Sequence, residues 1–332
     1  MNRWIFGCFA SLLALCCVTI LAFRWAAHLR EAVPFSVGLP SEGQLIDTAQ
    51  GAVFTVDFAK QSAPRVVFAH GTAAWSAIWR ETMLSVSNAG YQATAFDMPP
   101  FGWSEHPDGA DYSRAAQADR VIALLEALDD RPIIVAHSVG AGPVSEAVLK
   151  RPELVSGYIV VSGAIGLSDR GAPKQPPYLL RNSTIRELAT SITATNPMLT
   201  GTFLRDFMYR KEAATPELID MLRAPMVREG YTNAVSEWVP ELFTTPRDAL
   251  SLDPTNWEAL DLPFAVIWGA EDKVTPIPQG KELATLVPNA KLTILESVGH
   301  IPHLEAPPEF AEALIDALKS MAPPHTQELE QK

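Results

Sequence analysis

Short apolar runs alternate with amphipathic segments over most of this chain. Apolar runs typical of buried strands occur at 52–59, 65–70, 91–97, 132–137 and 156–162. Segments with apolar residues at helical spacing lie between them, at 78–88, 113–128 and 140–150. The pattern resumes with strands at 264–268 and 291–296 and helices at 278–287 and 308–321. Such alternation predicts βαβ units and a mostly parallel sheet in an α/β fold flanked by helices.

The alternation stops between residues 163 and 261. Helical patterns without clear strands occupy 184–193, 203–209, 216–228 and 233–242. We interpret this region as a helical cap inserted between two strands, and an ordinary helical layer on the sheet is the alternative. The predicted core then comprises residues 51–163 and 261–322, the cap residues 164–260, and a flexible polar tail residues 323–332.

The N-terminal segment 4–23 is uncharged and apolar throughout, with Arg3 before it and Arg24 after it. A bilayer needs about twenty such residues, so the pattern predicts a transmembrane helix that anchors the chain in a lipid bilayer. We favour an orientation that places the rest of the chain on the extracytoplasmic side. A cleaved signal peptide and a buried core helix are the alternatives. Residues 24–50 contain several prolines and glycines and are expected to form an extended linker.

Composition excludes some classes of function. A length of 332 residues suits one large domain with an insertion, and a formal net charge of −12 argues against a nucleic-acid partner. All three cysteines lie in the N-terminal apolar run, so the rest of the chain has no cysteine-based metal site or disulfide. No metal-ligand spacing stands out and no cofactor is expected. The oligomeric state is not indicated.

One apolar strand leads directly into a serine. Ser138 follows the strand at 132–137, and the small residues Ala136 and Gly140 stand two positions before and after it. A turn from strand to helix at a nucleophilic serine is so tight that only small residues fit at these two positions. The segment therefore predicts a nucleophile elbow with Ser138 as the nucleophile.

A base and an acid follow later strands. His300 comes after the strand at 291–296, and Asp272 comes after the strand at 264–268. Because the carboxyl ends of parallel strands share one edge of the sheet, we expect both side chains to reach Ser138. The order Ser, Asp, His is typical of the triad in α/β-hydrolases. His303 and Glu271 are the competing candidates for base and acid.

The strand at 65–70 ends in His70, Gly71 and Thr72. We expect the backbone amides of Thr72 and Val139 to form an oxyanion hole, since such preorganised donors stabilise the developing negative charge. We expect His70 to brace this loop.

These motifs resemble those of the α/β-hydrolase superfamily over roughly residues 54–322. The similarity lies in residues 70–72, 97–104, 269–272 and 299–305 and in the elbow, with Ala136 and Pro100 replacing the usual glycines. The chain looks closest to cap-bearing serine esterases and lipases and to carbon–carbon-bond hydrolases. Relatives with an aspartate nucleophile, such as epoxide hydrolases, share the flanking motifs, and Ser138 argues against their chemistry.

The resemblance implies a serine hydrolase with a catalytic triad. We predict a membrane-anchored enzyme that cleaves carboxylic esters of small hydrophobic substrates through an acyl-enzyme. His137, Trp75, Trp103 and Trp238 are expected to line its apolar substrate pocket. Hydrolysis of a carbon–carbon bond or a lactone by the same triad is the nearest alternative. A non-catalytic binding protein on the same scaffold is an alternative of another class.

Overall fold

The computed structural model describes residues 2–35, 37–58, 63–167, 175–244 and 248–321, and the predicted tail 323–332 lies outside them. Within this part of the chain a sheet of eight strands forms the centre. Its strands are β1 (Gly43–Thr48), β2 (Gly51–Phe58), β3 (Arg65–Ala69), β4 (Gln92–Phe96), β5 (Ile133–His137), β6 (Gly157–Val161), β7 (Phe264–Gly269) and β8 (Lys291–Leu295). The spatial order is β1-β2-β4-β3-β5-β6-β7-β8. Strand β2 is antiparallel to both of its neighbours, and the strands from β4 to β8 are parallel.

The central strands are apolar without interruption because helices cover both faces of the sheet. Every residue of β5, β6 and β7 is buried, and the adjacent residues Ile134 and Val135 belong to hydrophobic clusters on opposite faces. The helices that follow the strands of the core are α2 (Arg80–Asn88), α3 (Arg114–Leu128), α4 (Ala141–Lys150), α10 (Pro278–Leu286), α11 (Pro302–Glu305) and α12 (Pro307–Met321). The α/β architecture predicted from the alternation is confirmed.

The region between β6 and β7 is helical and contains no strand among its described residues. Its helices are α5 (Ser183–Ile192), α6 (Thr200–Phe207), α7 (Pro216–Arg223), α8 (Tyr231–Trp238) and α9 (Pro254–Glu258). A separate hydrophobic cluster joins α8 to the core loop that carries Phe101 and Tyr112. Helices α5 to α8 therefore form a cap over the sheet edge, whereas α9 places Trp257 within the core.

The N-terminal helix α1 spans Asn2–Arg30, so it continues beyond the predicted end at residue 23. Its last turns pack against the cap. Ala27 is buried, Arg24 pairs with Glu187, and the Arg30 side chain donates to the carbonyl oxygens of Thr195 (3.1 Å) and Met226 (2.9 Å). These contacts extend the helix because they fix residues that were expected to belong to a linker.

The predicted linker also contains the edge strand β1, which was not anticipated. Its residues are half-buried or exposed, so the apolar alternation that identifies a strand is weak here. Among the described residues, no helix combines the length and the apolarity that a membrane span requires. The predicted transmembrane anchor therefore has no support from the structure.

Candidate active site

Ser138 lies at the sharp turn between β5 and α4. Its backbone has φ of 52°, in the left-handed region that non-glycine residues seldom adopt, and its side chain is buried. A Cβ atom on Gly140 would lie 2.2 Å from the carbonyl oxygen of His70. Glycine is therefore required two positions after the serine, because the elbow presses against the neighbouring loop.

The structure brings the predicted serine, histidine and aspartate together. Ser138 Oγ lies 2.7 Å from His300 Nε2, and His300 Nδ1 lies 2.9 Å from Asp272 Oδ2. Since the ionised carboxylate can only accept, Nδ1 carries the proton and Nε2 is free to accept from the serine hydroxyl. The competing His303 instead stacks on Trp79, with ring centroids 4.1 Å apart.

Asp272 is held by the loop that follows β7. Its Oδ1 accepts from the amides of Val274 (2.8 Å) and Thr275 (2.9 Å), and its Oδ2 accepts from the Thr275 hydroxyl (2.8 Å). Burial alone would raise the pKa of Asp272, but the bonds from His300 and Thr275 outweigh burial and lower it. The adjacent Glu271 is exposed. Thr275 was not singled out from the sequence.

The loop after β3 lies against the nucleophile, since a Cβ atom on Gly71 would lie 2.8 Å from Ser138 Cβ. His70 braces this loop: its Nε2 accepts from the Met98 amide (2.8 Å) and its Nδ1 donates to the Gly71 carbonyl (2.8 Å). Burial lowers the pKa of His70 to about 4, so the ring is neutral near pH 7. In the described part of the chain, the Thr72 amide makes no backbone hydrogen bond.

Asp97 anchors the loop after β4. Its carboxylate accepts from the amides of Ser76 and Trp103, each at 2.6 Å, and burial raises its pKa to about 6. A Cβ atom on Gly102 would lie 2.1 Å from Asp97 Oδ2, and Gly102 has φ of 67°. This glycine lets the loop close tightly around the carboxylate.

His137 occupies a position between the elbow and the histidine loop. Its Nε2 donates to the carbonyl oxygen of His300 at 2.8 Å, while its Nδ1 has no partner among the described residues. Burial lowers the pKa of His137 to about 3, so the ring is neutral near pH 7 and carries its one proton on Nε2. The side chain next to the nucleophile therefore fixes the backbone of His300.

Glu305 joins the histidine loop to the cap. Its carboxylate accepts from four backbone amides, those of Gly299 (2.9 Å), Ile301 (3.0 Å), Tyr209 (2.8 Å) and Arg210 (3.1 Å). The first two amides flank His300, and the last two belong to the cap. Sequence analysis missed this role, although an acidic residue five positions after the histidine was part of the matching motif.

Two cavities meet at Gly71 and Thr72. The smaller, of about 70 Å³, contains Ser138 and His300 and is otherwise lined mainly by apolar side chains of the cap and the histidine loop. We call it the acyl cavity. The larger, of about 380 Å³, is lined by the loop at 70–72 as well and has several polar side chains in its wall. We call it the head cavity.

The four predicted substrate-contacting residues are distributed unevenly. His137 lines the acyl cavity and Trp238 lines the head cavity. Trp75 and Trp103 line neither, which corrects the expectation for these two. Trp75 Nε1 donates to the carbonyl of Met221 (2.9 Å), so it joins core to cap, and Trp103 packs against it at 6.4 Å between ring centroids. Among the described residues, no group of three or more potential ligands could hold a metal ion.

The fold and the hydrogen-bonded serine, histidine and aspartate define a cap-bearing serine hydrolase. Residues 64–307 match the family model of the α/β hydrolase fold, and the chain belongs to this family. A 2-hydroxymuconate semialdehyde hydrolase of Pseudomonas putida is 27% identical over 219 residues, covering 65% of this chain and 72% of the relative.

Solved structures share the fold at lower identity. A meta-cleavage product hydrolase from Pseudomonas fluorescens IP01 superposes with a TM-score of 0.67 at 21% identity, covering 84% of this chain and 98% of the other. A bacterial membrane phospholipase A superposes with a TM-score of 0.63 at 19% identity, covering 97% of this chain and 99% of the other. These similarities include both carbon–carbon-bond and ester hydrolases.

Proposed function

We propose that this hydrolase cleaves carboxylic esters of hydrophobic acids through an acyl-enzyme on Ser138. The observation that carries the proposal is the placement of the Ser138 hydroxyl. It is hydrogen-bonded to His300 and opens into a cavity with mainly apolar walls. An apolar acyl chain is stabilised in such a cavity because its burial removes hydrocarbon surface from water.

In the first step His300 Nε2 takes the proton of Ser138 as Oγ bonds to the acyl carbon. The bond from that carbon to the alcohol oxygen then breaks, and His300 returns the proton to the leaving alcohol. Asp272 stabilises the imidazolium that forms between these events. In the second step a water molecule gives a proton to His300 as its oxygen bonds to the acyl carbon. The bond from that carbon to Ser138 Oγ then breaks, the acid leaves, and His300 returns the proton to Oγ.

A negative charge develops on the carbonyl oxygen of the substrate in both steps. The amides of Thr72 and Val139 are the donors we assign to it, one from the loop after β3 and one from the start of the turn after β5. A donor of this kind contributes about 3 to 4 kcal/mol to transition-state stabilisation.

Hydrolysis of a carbon–carbon bond is the second candidate. The similarity to a 2-hydroxymuconate semialdehyde hydrolase favours it, and the same serine, histidine and aspartate would serve. The two candidates differ in the leaving group, which is an alcohol in one and a carbon centre that must be protonated in the other.

A series of p-nitrophenyl esters of increasing acyl length tests the proposal, with Ser138→Ala as the paired variant and a vinylogous diketone as the carbon–carbon substrate. We expect ester hydrolysis that Ser138→Ala abolishes. Labelling by a fluorophosphonate probe reports an activated serine without regard to substrate. Labelling with turnover of the diketone alone would replace ester hydrolysis by the second candidate. No labelling would favour a binding protein on this scaffold.

Membrane attachment, and with it an extracytoplasmic catalytic domain, stays a prediction from the sequence. It depends on the uncharged segment 4–23. Comparing the full chain with the chain lacking residues 1–23 in membrane and soluble fractions tests it. Recovery of both in the soluble fraction would contradict the prediction.

A further inference from the structure

The head cavity differs from the acyl cavity in the chemistry of its wall. Arg114, Gln117, Glu241 and Gln279 line it together with several aromatic side chains. Both cavities reach Gly71 and Thr72, beside which Ser138 lies. An ester centred on Ser138 with its acyl chain in the acyl cavity therefore directs its alcohol part towards the head cavity. The following inference rests on the proposed ester hydrolysis.

The positively charged residue in this wall, Arg114, is hydrogen-bonded to other residues of the protein. Arg114 Nη1 donates to the carbonyl of Ile165 (2.8 Å) and to the hydroxyl of Ser251 (3.1 Å). Burial lowers the pKa of Arg114, and the charge of Glu146 is the largest influence that opposes this. Glu146 is itself fixed by the Ser251 amide at 3.0 Å. Arg114 and Glu146 are thus linked through the Ser251 hydroxyl, and Glu241 is the next charge that stabilises the Arg114 guanidinium.

Glu241 differs from Arg114 in that its side chain is not hydrogen-bonded within the described part of the chain. Its carboxylate makes no hydrogen bond or ion pair to the residues that the structure describes, although it is half-buried in the cavity wall. Burial and the neighbouring Asp111 raise its pKa, and Arg114 opposes them. A partly desolvated carboxylate that accepts no hydrogen bond is costly, and a cation in the cavity would relieve that cost.

Aromatic rings line the same cavity as this carboxylate. Phe101, Tyr112, Trp238 and Phe243 all line the head cavity, and the Phe101 and Trp238 rings meet edge to face with centroids 4.8 Å apart. The faces of such rings attract cations, and ammonium groups are bound in proteins by cages of this composition.

We propose that the head cavity binds an ammonium group carried by the alcohol part of the ester, with Glu241 as its counter-ion and the rings of Phe101 and Trp238 as its wall. The substrate class is then an ester of an apolar acid with an amino alcohol or a quaternary amino alcohol. The cation contributes to binding and orientation, and takes no part in the proton transfers between Ser138 and His300.

A pair of isosteric esters tests this inference. Butyrylcholine and neohexyl butyrate share the acyl chain and the shape of the alcohol, and differ in a nitrogen cation replaced by carbon. We expect kcat/KM to be roughly tenfold higher for butyrylcholine, and Glu241→Gln to bring the ratio close to one. Glu212→Gln, which changes an exposed carboxylate on the same cap, is the matched control and is expected to keep the ratio.

The outcomes separate this inference from the proposed function. Turnover of both esters at equal kcat/KM, or a ratio that survives Glu241→Gln, would overturn the inference and leave ester hydrolysis intact. If neither ester is cleaved, ester hydrolysis by this enzyme is in question, and calorimetric titration of Ser138→Ala with choline decides the inference without turnover. Choline binding that Glu241→Gln weakens supports it, and binding that is absent or unaffected refutes it.

Discussion

The catalytic edge of the sheet and the cap above it are held by different interactions. At the edge, loops that follow separate strands are fixed by carboxylates and histidines bonded to backbone groups, as Asp272 and His70 illustrate. The cap meets the acyl cavity with apolar side chains, whose packing tolerates changes of shape. The difference teaches that the geometry of the reaction resides in the core, whereas the fit to the acyl chain resides largely in the cap.

The strongest test of this division is Asp272→Asn. The amide keeps the shape of the carboxylate but no longer stabilises the imidazolium of His300, so we expect kcat to fall by about 10⁴-fold. Steady-state kinetics on the best ester measures it. Glu271→Gln, which changes the exposed neighbouring acid, serves as the control and should stay close to the parent. A fall in kcat of less than about tenfold for Asp272→Asn would show that this aspartate is not a member of the catalytic triad.

His137→Phe tests whether a core residue outside the catalytic triad supports catalysis by orienting His300. Phenylalanine keeps the ring but loses the Nε2 donor to the His300 carbonyl, so His300 is no longer held in line with Ser138. We expect kcat to fall by roughly 10- to 100-fold with little change in KM. His137→Gln places an amide donor at a similar reach and should recover most of the loss. Equal losses in both variants would assign the effect to packing instead.

The neutral histidines of the core predict a pH dependence of stability. The folded pKa of His70 is about 4, below its ordinary value of 6.5. Below about pH 6.5 the unfolded chain therefore binds a proton that the folded chain does not, and stability falls as pH drops towards 4. The contribution of His70 is about 1.4 kcal/mol per pH unit within that window, a tenfold change in the folding equilibrium.

Urea unfolding of His70→Gln and of the parent at pH 7 and pH 5 isolates this contribution. Comparison with the parent is needed because Asp97, whose pKa burial raises to about 6, acts in the opposite sense below that pH. The variant should lose less stability between the two pH values. An identical loss in both proteins would show that His70 is not a buried neutral group.

The smallest expected effect concerns the cap. Arg30→Ala removes the donors to the carbonyls of Thr195 and Met226, and Met226 lines the acyl cavity. We expect KM to rise about two- to threefold and kcat to change little. We expect the free energy of unfolding to fall by about 1 kcal/mol. Arg24→Ala, which removes only a partly exposed ion pair, is the control and should have a smaller effect. A fall in kcat at constant KM would break the division between core and cap.

The core was predictable from the sequence because its signals are local. An apolar or alternating strand that ends in a short loop identified the positions of Ser138, Asp272 and His300, and a parallel sheet brings the ends of its strands together. The structure places these three within hydrogen-bond distance. Local pattern and topology together were therefore sufficient for the centre of the site.

The substrate cavities were less predictable because they depend on long-range packing. Trp75 and Trp103 are aromatic residues of the kind that line apolar pockets, yet they pack between core and cap. The sequence does not distinguish an aromatic side chain in a pocket wall from one that packs in the interior. The helical pattern at 233–242 gave no indication of the role of Glu241, which lies in a short 3-10 helix at 239–243. The end of α1 was missed for a similar reason, because its last turns depend on partners in the cap such as Glu187.

Glu305 has a consequence for protein engineering. Its carboxylate binds amides on both sides of His300 and two amides of the cap at 209–210. The cap is therefore not a module that can be exchanged whole between relatives, because a graft without matching amides would loosen the loop that carries the base. Redesign of the substrate range should retain residues 209–210 and alter individual side chains elsewhere in the cap.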